Sequence, residues 1–145
     1  MITKSFEHAV RFRLAGEPQR PVWLPLVTVG LINNKGDCLY LPLFFDTGAS
    51  TTTLLPDFAS FLGASTWTEG VPVEVSTAGG PEPVIAYKFQ AQLELFGKII
   101  DCPIHLQPMR RNSLFQGLLG REAVFEHFGF GFWEKDCELL ITASP

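Results

Sequence analysis

Leu43-Phe44-Phe45-Asp46-Thr47-Gly48-Ala49-Ser50 is the stretch that decides how this chain is read. Three apolar residues, two of them aromatic, run straight into a carboxylate and a small polar turn. The run Leu41 to Phe45 has the character of a strand buried on both faces. Asp46 is the first polar residue after it. A charged carboxylate at the end of a buried strand is costly unless it is hydrogen-bonded or functional. Thr47 offers a hydroxyl, and Gly48 lets the backbone come close and expose its N–H. Such a stretch holds a carboxylate rigidly at the floor of a cleft.

Upstream, Cys38 to Phe45 is the return strand of a hairpin whose loop is Asn33-Asn34-Lys35-Gly36-Asp37. The outgoing strand is Val22 to Val29, with Pro25 marking an edge or a bulge. Before it, Phe6 to Leu14 alternates apolar and polar residues at period two, a half-buried strand. Downstream, Thr51-Thr52-Thr53 carries the chain out of the turn. Pro56 can open a short helix that Gly63 ends, with Phe58, Phe61 and Leu62 on one face, expected to pack under the turn. Val71 to Val75 and the alternating run Val84 to Phe96 flank a tip at Ser76 to Pro81. The hairpin they make has a glycine tip, Gly79-Gly80, and an ordinary surface hairpin is its plain reading.

The second half repeats the first. Leu114 to Leu119 is another buried strand, Gly120-Arg121 another glycine turn, and Glu122 to Phe128 a second short helix ended by Gly129. A final hairpin runs from Phe130 to Thr142. The first repeat carries an aspartate in its turn and the second does not.

Apolar-apolar-Asp-Thr-Gly-Ala-Ser, followed by Leu118-Leu119-Gly120-Arg121, resembles the retropepsin-like aspartic peptidases, the single-domain relatives of the retroviral proteases. The order of elements fits from about Val22 to Thr142, while the residue likeness rests on these two motifs. The resemblance implies an all-β fold: a closed, antiparallel acid-protease barrel with two short helices, a single domain over residues 1–145. It also turns the glycine hairpin into a flap over the substrate.

Peptide hydrolysis by this route needs two carboxylates about a hydrogen bond apart, sharing a proton and holding a water. One takes a proton from the water, and the other hydrogen-bonds the scissile carbonyl. With one Asp-Thr-Gly per chain, the dyad must join Asp46 to its copy in a homodimer. The resemblance makes Asp46, Thr47 and Gly48 the catalytic turn, the Thr47 hydroxyl crossing to the partner. It has Ala49, Leu118 and the flap residues Ala78, Gly79 and Gly80 bind an extended, largely apolar peptide or protein substrate, with Leu118 and the flap lining apolar side-chain pockets. It requires no metal and no cofactor. Retroviral enzymes usually carry an aspartate where this chain has Ser50, and it pairs with the arginine that matches Arg121. Asp57 and Glu122 are the candidates to replace it. A catalytically idle peptide-binding or dimerisation module is the alternative, and a small β-barrel carrier a third reading.

Other features weigh less. Cys102-Pro103-Ile104-His105 has metal-like spacing, but positions i and i+3 of a strand face opposite ways. The expectation is a core cysteine and a half-exposed histidine. Cys38 and Cys137 lie in apolar strand context, hence core. His127 ends a helix, where a cation is favourable. The 145 residues are 46% hydrophobic, with thirteen phenylalanines, enough for a real core. The net charge of −4 and the lack of a Lys/Arg run argue against nucleic-acid binding. No apolar stretch approaches the roughly 18–20 residues of a membrane span, and no secretory signal opens the chain. Three cysteines argue against a disulfide framework and for the cytoplasm.

Overall fold

The computed structural model describes residues 5–76, 80 and 82–144. Fourteen strands and one α-helix follow in chain order. The first five strands are β1 (His8–Arg11), β2 (Arg13–Glu17), β3 (Arg20–Leu24), β4 (Leu26–Ile32) and β5 (Cys38–Phe45). The middle of the chain gives β6 (Thr52–Leu54), β7 (Val71–Val75), β8 (Val84–Phe89), β9 (Gln92–Leu95), β10 (Lys98–Asp101) and β11 (Ile104–Leu106). The last part gives β12 (Gly117–Leu119), the helix α1 (Val124–His127), β13 (Phe128–Trp133) and β14 (Glu138–Ala143).

The breaks have local causes. Pro25 has no N–H for a ladder and separates β3 from β4. Asn33 shapes the loop between β4 and β5: its Oδ1 accepts from the Lys35 and Asp37 N–H groups at 3.0 Å each. Gly36 there has φ +84°, a conformation that glycine adopts without strain. The run read as one strand from Val84 to Phe96 breaks at Gln90-Ala91 into β8 and β9, which join different neighbours.

Nine strands form one sheet in the order β10-β9-β4-β5-β12-β6-β11-β8-β7. A smaller sheet, β1-β14-β13, gathers the two ends of the chain, and β2-β3 is a separate hairpin. Two expectations are corrected here. The large sheet is open: β10 and β7 are its edges, and no ladder among the described residues joins them. It is also not purely antiparallel, because β12 runs parallel to β5 and β11 parallel to β6. Parallel neighbours need a long crossover, which the chain between Phe45 and Gly117 supplies.

The helices are shorter than expected. Pro56–Ala59 is one 3-10 turn that carries on as turns to Gly63, where φ is +89°. Only the second segment contains an α-helix among the described residues, a single turn. It follows a tight reversal at Ala123, whose φ of +65° lets Val124 N–H donate to the Glu122 carbonyl at 2.8 Å. That is the strained form of a three-residue turn.

The core is built by alternation. Leu41, Leu43 and Phe45 of β5 are buried, while Pro42 and Phe44 are only partly covered. β5 is thus buried on one face and half-covered on the other, where Phe44 meets the Phe115 ring at 5.5 Å. Phe45 sits in an aromatic cluster with Phe130 at 4.5 Å, Phe132 at 5.5 Å and Phe125 at 5.9 Å. Those rings come from α1 and β13, not from the Phe58 to Leu62 segment expected there, whose 3-10 turn packs beside β11. Burying aromatic rings of this size contributes about 0.5–1.5 kcal/mol per pair beyond their area. The residue just before Asp46 is therefore firmly anchored.

Candidate active site

β5 delivers Asp46 at its C-terminal end. The Asp46 N–H donates to the Leu119 carbonyl at 3.0 Å, extending the parallel β5-β12 ladder by one bond. The turn closes when Ala49 N–H donates to the Asp46 carbonyl at 3.1 Å. The Gly48 N–H donates to Asp46 Oδ1 at 2.9 Å, the support foreseen for the carboxylate. Asp46 is half-buried, Thr47 and Gly48 are exposed, and Ala49 is half-buried.

The second glycine turn locks onto the first. Arg121 N–H donates to the Ala49 carbonyl at 3.0 Å and Glu122 N–H to the Ser50 carbonyl at 2.9 Å. Gly120 is buried, and its N–H donates to Thr52 Oγ1 at 3.1 Å. A Cβ at Gly120 would overlap the Thr51 carbonyl, so the two segments can cross this closely only at glycine. Gly117 makes a similar approach to the Thr53 carbonyl.

A cleft of about 360 Å³ opens above the turn. Asp46, Gly48, Ala49 and Ser50 form its floor. Its far wall is Thr51, Thr53, Gln107 and Leu118, and Val75 and Ser76 close one side. Among the described residues, Asp46 is the single charged one lining it. Of the residues singled out in the sequence, Asp46, Gly48, Ala49 and Leu118 meet here. Gly80 is exposed and lies outside the lining, while Ala78 and Gly79 lie outside the described residues. Thr51, Thr53, Ser76 and Gln107 were not foreseen as site residues. Period two along Thr51-Thr52-Thr53 was the available signal: it puts Thr51 and Thr53 on one face and Thr52 on the other.

Arg121 meets none of its candidate partners. Asp57 is held by Arg111, both carboxylate oxygens accepting from Nη2 at 2.9 Å. That bond holds the Asp57 carboxyl below its usual range. The Arg121 guanidinium instead lies over the Phe125 ring, 5.6 Å from its centre. No salt bridge joins it to Glu122 among the described residues.

The cysteines and His105 also depart from expectation. Cys38 is exposed and Cys137 half-buried; Cys102 alone is in the core. Burial pushes the Cys102 thiol up to about 12. His105 is buried, not half-exposed, and its Nδ1 has no hydrogen-bond partner. Burial lowers its pKa, with Glu122 pulling the other way and Lys88 adding to the drop. Among the described residues, no three His, Cys, Asp or Glu side chains gather as a metal site would require. Likewise, no helix there is long and apolar enough to cross a membrane.

Residues 27–123 match the family described as aspartyl protease. No curated protein matches the chain in sequence. In fold the chain is similar to a retropepsin-like aspartic protease from Rickettsia conorii: 20% identity over 100% of both chains, TM-score 0.56. It is more distantly similar to the EIAV protease complexed with the inhibitor HBY-793, at 20% identity over 71% of this chain and 86% of that one, TM-score 0.46. With its Asp-Thr-Gly turn, its second glycine turn and a family match over most of its length, the chain belongs to the aspartyl protease family and carries the retropepsin-like fold.

Proposed function

We propose that this protein is an aspartic endopeptidase that works as a homodimer, a single retropepsin-like domain over residues 1–145. The observation that carries the reading is Asp46, half-buried at the floor of an open cleft, with one oxygen held by the Gly48 N–H and no other charged residue in the lining among the described residues. A lone carboxylate cannot be base and acid together. A twofold axis beside the turn brings its copy to share one proton, so that one member activates the water and the other holds the carbonyl. Thr47, exposed at the turn, reaches across to the partner. Ala49 and Leu118 line the substrate path, and Ala78, Gly79 and Gly80 cover it as a flap. No cofactor or metal enters this chemistry, and a reducing cytoplasm is the setting that the cysteines suggest.

Digestion of a peptide library at acidic and at neutral pH, wild type beside Asp46→Asn, tests it by mass spectrometry. Cleavage by wild type alone is expected. Equal cleavage by both proteins overturns the aspartic mechanism. No cleavage by either, with peptide binding kept, would make the chain an idle peptide-binding module. Sedimentation velocity tests the dimer. Asp46→Asn removes the repulsion between two facing carboxylates and is expected to dimerise more tightly than wild type near neutral pH. Equal dimer affinities mean that the two Asp46 side chains do not meet.

A further inference from the structure

Among the described residues the far wall of the cleft carries no charge, and Thr51, Thr53 and Gln107 make it largely polar beside Leu118. Thr53 is 6% exposed, and its ladder partners are Leu118 on β12 and His105 on β11. Residues paired directly across a ladder share a face, so Leu118, Thr53 and His105 form one row. Gln107 N–H donates to the Leu54 carbonyl at 3.1 Å and continues the β11-β6 pairing one step. Being two residues beyond His105, Gln107 falls on the same face. Thr52, on the opposite face, is committed to Gly120.

This face holds unmet hydrogen-bonding capacity. Gln107 Oε1 is shut off from solvent and has no hydrogen-bond partner among the described residues. The Thr53 hydroxyl has only the Thr51 hydroxyl near it, at 3.5 Å, the outer limit of a hydrogen bond. Buried polar atoms are nearly always paired, so this oxygen, in a residue that lines the cleft, leaves the Gln107 carboxamide with hydrogen-bonding capacity that the protein does not use. Rotation about the last torsion of Gln107 turns either its oxygen or its NH₂ toward the space. Thr53 can likewise donate or accept.

We infer that this part of the cleft is a subsite for an uncharged polar side chain of the substrate, a carboxamide or a hydroxyl, recognised by Gln107 and Thr53. The inference rests on the peptidase reading for its substrate class. Charged side chains fit poorly. Among the described residues a lysine or arginine would find no carboxylate in the lining except Asp46, which the chemistry occupies, and an acidic side chain would face that same carboxylate. Ser50 adds a hydroxyl to the floor. An aliphatic side chain would fill the space but leave the amide unpaired, and a site built to hydrogen-bond discriminates against such analogues.

Peptide-library profiling of wild type, Gln107→Leu and Thr53→Val tests the subsite. The same peptides, titrated by fluorescence anisotropy against Asp46→Asn and against Asp46→Asn with Gln107→Leu, give a second readout. Wild type is expected to favour Asn, Gln, Ser or Thr at one position flanking the cleaved bond. Gln107→Leu is expected to lower kcat/KM for those peptides about tenfold, the worth of one hydrogen bond between uncharged groups, and to turn the preference toward Leu and Val. Aliphatic preference at every position, unchanged in Gln107→Leu, overturns the subsite while Asp46-dependent cleavage still supports the peptidase. Absence of cleavage, with polar-selective binding lost in the Gln107→Leu background, overturns the peptidase but keeps the subsite. Neither cleavage nor binding overturns both.

Discussion

The two glycine turns occupy matching places in the two halves of the chain, yet their surroundings differ. The Asp46 turn faces a cleft, with Thr47 and Gly48 exposed and a carboxylate in place of further apolar packing. Gly120 of the second turn is buried and its N–H is taken by Thr52, while Arg121 and Glu122 after it are exposed and tie their N–H groups to the first turn. One turn spends a charge at the surface of a pocket, and the other brings two segments of the same chain together beside it. A repeated element has thus divided its labour: the second turn positions what the first presents.

Substitutions should break that division in opposite ways. Asp46→Asn keeps the shape of the turn and removes the base. Peptide hydrolysis is expected to fall at least about a thousandfold, while the thermal midpoint is kept. Gly120→Val has the converse pattern. The added side chain has no room beside the Thr51 backbone, and stability is expected to drop by about 3 kcal/mol or more, read by urea unfolding. Should Gly120→Val fold normally and lose only activity, the second turn would belong to the chemistry and the contrast would be wrong.

Thr52→Val sharpens the same point at smaller scale. It is nearly isosteric but leaves the Gly120 N–H buried without an acceptor. Loss of about 1–3 kcal/mol is expected, with little change in KM, since Thr52 faces away from the cleft. A raised KM at unchanged stability would put Thr52 on the substrate side.

Both turns were legible in the sequence because each is a local signal: a polar or glycine residue that ends an apolar run. The Asn33 to Asp37 hairpin and the closing β13-β14 hairpin were legible for the same reason. What failed depends on neighbours that the local sequence does not name. His105 was read as half-exposed from strand alternation, but β11 is paired on both sides, by β6 and β8, and lies well inside the sheet. Cys38 was read as core, yet β12 pairs with β5 only at Phe44 and Phe45 and does not extend to Cys38. Cys38 is left exposed at the end of the β4-β5 ladder. Thr53 and Gln107 came into the site through the parallel pairing of β6 with β11, segments far apart in the chain, which no motif records.

His105 gives the smallest prediction, and it tests whether the row behind the cleft is as tightly closed as the Gly120 turn. Its side chain is buried beside the second half, with Glu122 and Lys88 as the charges that act on it. Burial depresses the folded-state pKa below the ordinary value of about 6.5. Above that ordinary value, both folded and unfolded chains hold a neutral imidazole, and His105 adds no pH dependence. As pH falls below it, the unfolded chain takes up the proton first. Stability is then lost until pH has dropped through the folded value. His105→Leu removes this step and leaves His8 and His127 in place. The difference in unfolding free energy between wild type and variant, measured in urea at pH 7.5 and 5.5, should shift by up to about 1.4 kcal/mol against wild type at the lower pH. Parallel pH profiles would mean that His105 takes its proton without unfolding. The β11 face would then open to water far more readily than the locked crossing at Gly120.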